Sequence, residues 1–141
     1  MRGCWKCCER REYLTTLLEG ITNLHEHELV GIRLSTEMEV ASVSAEQATA
    51  LGLIVNEFVT NSLKYVFDGS SGEIRITAET TDGDRLRLCL HDTGKGLADP
   101  AHPAGTGTGM QIIAGLCGQL GAQPDWLSAS GTTLTFEFQI S

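Results

Sequence analysis

Four short polar and glycine-bearing signatures follow one another along this chain, each at the edge of a regular element. They are LIVNEFVTNSLKY (Leu53–Tyr65), HDTGKGL (His91–Leu97), GTGTGM (Gly105–Met110) and GTT (Gly131–Thr133). The segments around them switch between helical and strand periodicity. Ser44 followed three residues later by Gln47 makes a capping box, which predicts a long helix running to about Phe67 and stopped by the turn cluster Asp68-Gly69-Ser70-Ser71-Gly72. Glu73–Thr80 and Arg85–Asp92 read as strands joined by a hairpin turn, Thr81-Asp82-Gly83-Asp84. Ile74, Ile76 and Ala78 share one face of the first, and Leu86, Leu88 and Leu90 one face of the second. Thr93–Gly107 lacks any period and reads as a mobile loop. A helix from near Thr108 to near Gly121 and two strands, Pro124–Ala129 and Thr132–Ile140, complete the chain. Nearer the start, Tyr13, Leu14, Leu17, Leu18 and Ile21 at helical spacing predict a short helix, and Gly31–Met38 a strand with Ile32 and Leu34 pointing one way. The sum is an α+β two-layer α/β sandwich, a mixed, mostly antiparallel sheet covered on one face by helices.

At 141 residues the chain has the length of one domain. A net charge of -8 argues against nonspecific binding to nucleic acid or to an anionic membrane surface. No segment is long and apolar enough for a bilayer span, and the polar start gives no sign of a signal peptide. Three of the five cysteines crowd at Cys4, Cys7 and Cys8, which is not a disulfide-scaffold pattern, so a reducing, cytoplasmic setting is expected. That expectation leaves room for a full-length protein attached to a membrane.

Glu57, Asn61 and Lys64, at i, i+4 and i+7, fall within about 60° of a helical wheel, away from the core stripe Ala48, Leu51, Val55, Phe58, Ser62 and Val66. Carboxylate and amide oxygens suit Mg²⁺, which keeps several waters and takes other ligands from substrate phosphates. Lys64 can meet a phosphate as a point charge. Asp92 lies in phase with Leu86, Leu88 and Leu90 and so faces the covered side of the sheet. An ionised Asp only accepts hydrogen bonds, and would favour adenine, with its exocyclic amine, over guanine, with a carbonyl there. Gly94 and Gly96 allow a close backbone approach to a base. Gly105, Gly107 and Gly109 precede a helix, where free amides make a phosphate cradle. Thr132 is in phase with Leu134 and Phe136, so its hydroxyl looks inward and can bridge to Asp92 and a base. Alone, each feature has a bland counterpart: a solvated helix face, a strand-ending turn, a flexible linker, an ordinary strand residue.

Together the series resembles the catalytic, ATP-binding domain of bacterial sensor histidine kinases, within the wider group that holds DNA gyrase, the heat-shock chaperone and mismatch-repair ATPases and the anti-sigma-factor kinases. It is most similar to the subfamily whose helix box reads N-E-L-x-T-N-A-x-K, here NEFVTNSLK (Asn56–Lys64). The resemblance covers about Tyr13 to Ser141 and implies a Bergerat-type ATP-binding fold, ATP and Mg²⁺ as ligands, and protein-histidine kinase activity. It implies Asn61 as Mg²⁺ ligand, Lys64 as phosphate contact and Asp92 as the adenine-binding aspartate. Gly94 and Gly96 fall in the first glycine box; Gly105, Gly107, Thr108, Gly109 and Met110 fall in the second; Thr132 matches the threonine near adenine. Glu57 stands where the ATPases have their general base, to orient a metal-bound water or polarise a nucleophile, and counts here among the metal and catalytic candidates. The loop from Leu97 to Gly105 has no phenylalanine box, as in that subfamily.

The subfamily's phosphoacceptor motif H-R-x-K-N occurs nowhere in the chain. Tyr13–Ile21 resembles the end of a dimerisation helix, so residues 1–20 are expected to be an N-terminal remnant, with appended residues, and 21–141 the ATP-binding domain. The implied partners are the dimerisation and histidine-phosphotransfer helices of a sensor kinase and, downstream, a response regulator; the chain alone should bind ATP without completing a transfer. Two other functions compete: an anti-sigma-type serine kinase and a non-catalytic, nucleotide-gated interaction module. His25 and His27, in LHEHE, read as a solvated loop rather than phosphoacceptors. Cys4, Cys7 and Cys8 make only an incomplete zinc site, while Cys89 and Cys117 read as packing residues and Trp126 as a partly buried strand residue.

Overall fold

The computed structural model describes residues 11–25, 31–38, 42–63, 72–93, 108–128 and 131–141, the side chains of 11, 12, 38, 108 and 109 excepted. Among these lie three helices, α1 (Leu14–Leu24), α2 (Ala45–Asn61) and α3 (Thr108–Leu120). The strands are β1 (Arg11–Tyr13), β2 (Ile32–Met38), β3 (Ser42–Ser44), β4 (Gly72–Thr81), β5 (Arg85–Asp92), β6 (Asp125–Leu127) and β7 (Thr132–Gln139). Among the described residues no helix is long and apolar enough to cross a membrane.

The main sheet has five strands in the order β2-β4-β5-β7-β6. Only β2 and β4 run parallel; the other neighbours are antiparallel. Strict alternation builds it. Ile74, Ile76 and Ala78, Leu86, Leu88 and Leu90, and Leu134, Phe136 and Phe138 all turn to the helix-covered face and are buried. Register brings Ile76, Leu90 and Leu134 side by side across three strands. The β4–β5 turn uses Asp82 and Gly83 at φ 53 and 83, the left-handed backbone a tight hairpin requires. The two-layer α+β reading of the sequence is the observed fold.

The expected capping box starts α2. Ser44 Oγ accepts from the Gln47 amide at 3.1 Å, and the Ser44 amide donates to Gln47 Oε1 at 3.4 Å. The same Gln47 side chain donates to the Gln139 carbonyl at 2.9 Å, which ties the start of α2 to the end of β7. At the far end of α3, the Gly121 amide bonds the Gly118 carbonyl and the Ala122 amide the Cys117 carbonyl. This pair is a Schellman ending with Gly121 at φ 76, and it stops the helix where the sequence predicts. The expected continuation of α2 beyond Leu63 to Phe67 and the turn residues 68–71 lie outside the described residues, and Gly72 opens β4.

Burial of Cys117 by α3 packing pushes its thiol up to about 11 from an ordinary value of 9.0. The unfolded chain therefore releases this proton first, and folding stability falls as pH rises from 9 towards 11. In denaturant melts across that window, the stability difference between wild type and Cys117→Ala should narrow, by at most about 3 kcal/mol. A difference that stays constant with pH would contradict the assignment.

The expected boundary after residue 20 falls within α1. Leu14, Leu18 and Ile21, at i, i+4 and i+7, are buried in the same core as α2 and the sheet, and β1 pairs antiparallel with β3. Each such side chain contributes about 1.5–3 kcal/mol on burial. α1 thus packs into the same core as α2 and the sheet.

Candidate functional site

The sheet's register places the end of β5 beside the start of β7, so that Asp92 faces Thr132 across the ladder. Asp92 is 1% exposed, and its inward phase follows the leucines before it on β5. Oδ2 accepts a hydrogen bond from Ser62 Oγ at 2.7 Å, and Oδ1 accepts from the Thr132 amide at 3.2 Å. A buried carboxylate is tolerable on such terms. Beside it, Thr132 is 3% exposed and its Oγ1 has no hydrogen-bonding partner. Such orphaned polar atoms are rare in folded interiors and point to a ligand or ordered water.

Gly131 makes this approach possible. Its φ is 110, and a Cβ there would stand 1.9 Å from the Asp92 carbonyl oxygen. Where the chain leaves β5, the Thr93 amide donates to the Glu73 carbonyl at 3.0 Å and the Glu73 amide donates to Thr93 Oγ1 at 2.9 Å, fixing its exit against β4.

From the helical layer, the last turn of α2 delivers Asn61 and Ser62. The backbone widens there into a π-type turn at Ser62–Leu63, a feature that recurs at functional positions. Asn61 and Glu57 are both half-buried. Asn61 Nδ2 lies 3.9 Å from Met110 Sδ, in the first turn of α3. A thioether can only accept, so the amide nitrogen faces it and the amide oxygen turns elsewhere. Consecutive residues of α2 thereby reach two neighbours: Ser62 the Asp92–Thr132 corner, Asn61 the start of the helix that follows the glycine run.

The sequence-expected residues divide accordingly. Ser62 links the Asp92–Thr132 corner to the turn that carries Asn61, which meets Met110, and Glu57 sits one turn earlier on α2. Thr108 and Gly109 open α3. Lys64, Gly94, Gly96, Gly105 and Gly107 lie outside the described residues, as do Cys4, Cys7, Cys8 and His27. A separate cleft of about 490 Å³, between α1 and β2 and lined in part by Thr15, Glu19 and Thr36, shares no residue with this cluster.

Two features differ from the sequence expectation. His25, read as a solvated loop residue, is 5% exposed, because it ends α1 against α2 and its Nε2 lies 2.6 Å from Asn56 Oδ1. Ser62, counted only as part of the core stripe, bonds the buried carboxylate. The available signal was a hydroxyl at a helical position whose stripe neighbours are apolar. Of the expected packing residues, Cys117 is buried, Cys89 is half-buried, and half-buried Trp126 stacks on Phe58 with centroids 6.3 Å apart.

At this corner a carboxylate and a hydroxyl without a partner lie side by side, a pair able to meet a donor and an acceptor on one ligand edge. The model of the family described as histidine kinase-, DNA gyrase B- and HSP90-like ATPase matches residues 46–141, well over half the chain. A relative, blue-light-activated histidine kinase 2 of Erythrobacter litoralis, is 27% identical over 113 residues, which cover 78% of this chain and 33% of that protein. The chain thus spans about a third of the length of that relative. The nucleotide-free catalytic domain of histidine kinase ThkA superposes with a TM-score of 0.77 at 20% identity, covering 93% of this chain and 95% of that one. ThkA in complex with the response regulator protein TrrA gives a TM-score of 0.77 at 20% identity, covering 94% of this chain and 42% of that one. At these identities the two structures show a shared fold. The chain belongs to the histidine kinase-, DNA gyrase B- and HSP90-like ATPase family, as an ATP-binding domain.

Proposed function

We propose that this chain is the catalytic domain of a cytoplasmic-facing sensor histidine kinase, which delivers the γ-phosphoryl group of ATP to a histidine on a helical dimerisation domain. The observation that carries the reading is the buried Asp92, bonded from α2 and β7 beside the orphaned Thr132 hydroxyl. Asp92 accepts the adenine amine and Thr132 donates towards the neighbouring ring nitrogen. Asn61 offers its amide oxygen, with Glu57 nearby, to a magnesium ion that would neutralise phosphate charge. Lys64 and the amides around Gly105, Gly107, Thr108 and Gly109 hold phosphate oxygens, Met110 supports Asn61, and Gly94 and Gly96 let the backbone close on the base. Glu57 orients the incoming nucleophile. Catalysis of this kind is mainly positioning and charge stabilisation. A response regulator would take the phosphoryl group onward.

Thr132→Val separates the hydroxyl's two effects. Without ligand, the variant should be as stable as wild type or more so, because a buried unsatisfied hydroxyl costs about 1–3 kcal/mol. Its ATP affinity should fall roughly two- to tenfold, the worth of one neutral hydrogen bond. Paired denaturant melts and calorimetric titrations check both signs; lower stability with unchanged affinity would refute the assignment.

For the transfer itself, the chain is mixed with a dimerisation domain carrying the acceptor histidine and with labelled ATP. Acid-labile, base-stable phosphate on that domain is the expected result. Acid-stable label would indicate a serine kinase, and nucleotide binding with no labelled product a purely regulatory module.

A further inference from the structure

Ser62 continues the inward stripe of α2 after Leu51, Val55 and Phe58, and is 2% exposed. At such a place alanine would pack as well and would not bury a hydroxyl. The hydroxyl is used: it donates to Asp92 Oδ2 at 2.7 Å, while the Thr132 amide holds Oδ1 at 3.2 Å. The terminal torsion of an aspartate is soft, so a donor to each oxygen, from the end of a helix on one side and a strand on the other, fixes the carboxylate plane.

We infer that Ser62 is a positioning residue for base recognition: it holds the Asp92 carboxylate in the plane that accepts the 6-amino group of adenine, and so sets the preference for purines carrying an amine at that carbon. The inference rests on the ATP reading above. It also makes the last turn of α2 read both ends of the nucleotide, since Ser62 steers the base contact while Asn61, the residue before it, serves the phosphate end.

The test uses Mg-ATP and the magnesium complex of purine riboside triphosphate, which lacks only the 6-amine, titrated calorimetrically into wild type and Ser62→Ala. Wild type should bind ATP roughly tenfold or more tightly than the analogue, as expected for a hydrogen bond to a charged acceptor. In Ser62→Ala the ATP dissociation constant should rise roughly tenfold while that of the analogue changes less than about twofold, so the discrimination collapses. Retained analogue binding shows that the variant is folded. Equal weakening of both ligands, or unchanged ATP affinity, would overturn the inference and leave the Asp92 reading standing. A wild type that binds both ligands equally would overturn the two together.

Discussion

Gly131→Ala should lower the stability of the folded chain by more than about 3 kcal/mol, the range reached only by buried steric or backbone disruption. The added methyl would stand 1.9 Å from the Asp92 carbonyl oxygen, 2.9 Å from its carbon and 3.2 Å from Thr93 Cα. All three atoms are backbone, so no side chain can swing aside. The residue would also be held at φ 110, where an L side chain is strained. Relief requires the start of β7 to part from the end of β5, at the pair Asp92–Thr132. At about 2–4 °C per kcal/mol for a domain near this size, the midpoint should drop by roughly 10 °C. A thermal melt within 2–3 °C of wild type, on the order of 1 kcal/mol, would show that the two strands are not joined as closely as described.

Asp92→Asn carries the second large effect, and it falls on ligand binding. The substitution preserves shape but replaces one accepting oxygen with a donating nitrogen. The two oxygens now accept from Ser62 Oγ and the Thr132 amide. An asparagine oxygen can keep the Thr132 amide, but its nitrogen can then only donate to Ser62 Oγ, whose hydroxyl must turn from donor to acceptor. An adenine amine that meets that nitrogen faces a donor in place of an acceptor. Losing a hydrogen bond to a charged group and leaving donors opposed costs at least about 3 kcal/mol, so ATP affinity should fall more than about a hundredfold. Calorimetric titration with Mg-ATP measures it. Affinity within threefold of wild type would remove Asp92 from the base contact.

Most of the sheet was legible because alternation and burial coincide in β4, β5 and β7, and the inward phase of Asp92 follows from Leu86, Leu88 and Leu90 by counting in twos. The capping box gave the start of α2 and Gly121 the end of α3, since both signals are local. α1 shows the limit. The spacing of Leu14, Leu18 and Ile21 declares a buried face without saying what buries it, and a dimerisation helix carries the same pattern. The contact of β1 with β3 joins three-residue strands about thirty positions apart, too short to read. His25 looked solvated because its neighbours are polar; its burial depends on Asn56, 31 residues away. Ser62 reads as a packing residue for a similar reason, as its partner Asp92 lies 30 residues further on.

The most direct test of the account is the thermal stability of the wild-type chain with Mg-ATP, with Mg-GTP and without nucleotide. A ligand that binds only the folded state at a hundredfold excess over its dissociation constant stabilises by about 2.7 kcal/mol. The account predicts a clear rise in midpoint with Mg-ATP and little or none with Mg-GTP. An equal rise with both, or none with either, would contradict an adenine pocket built on Asp92.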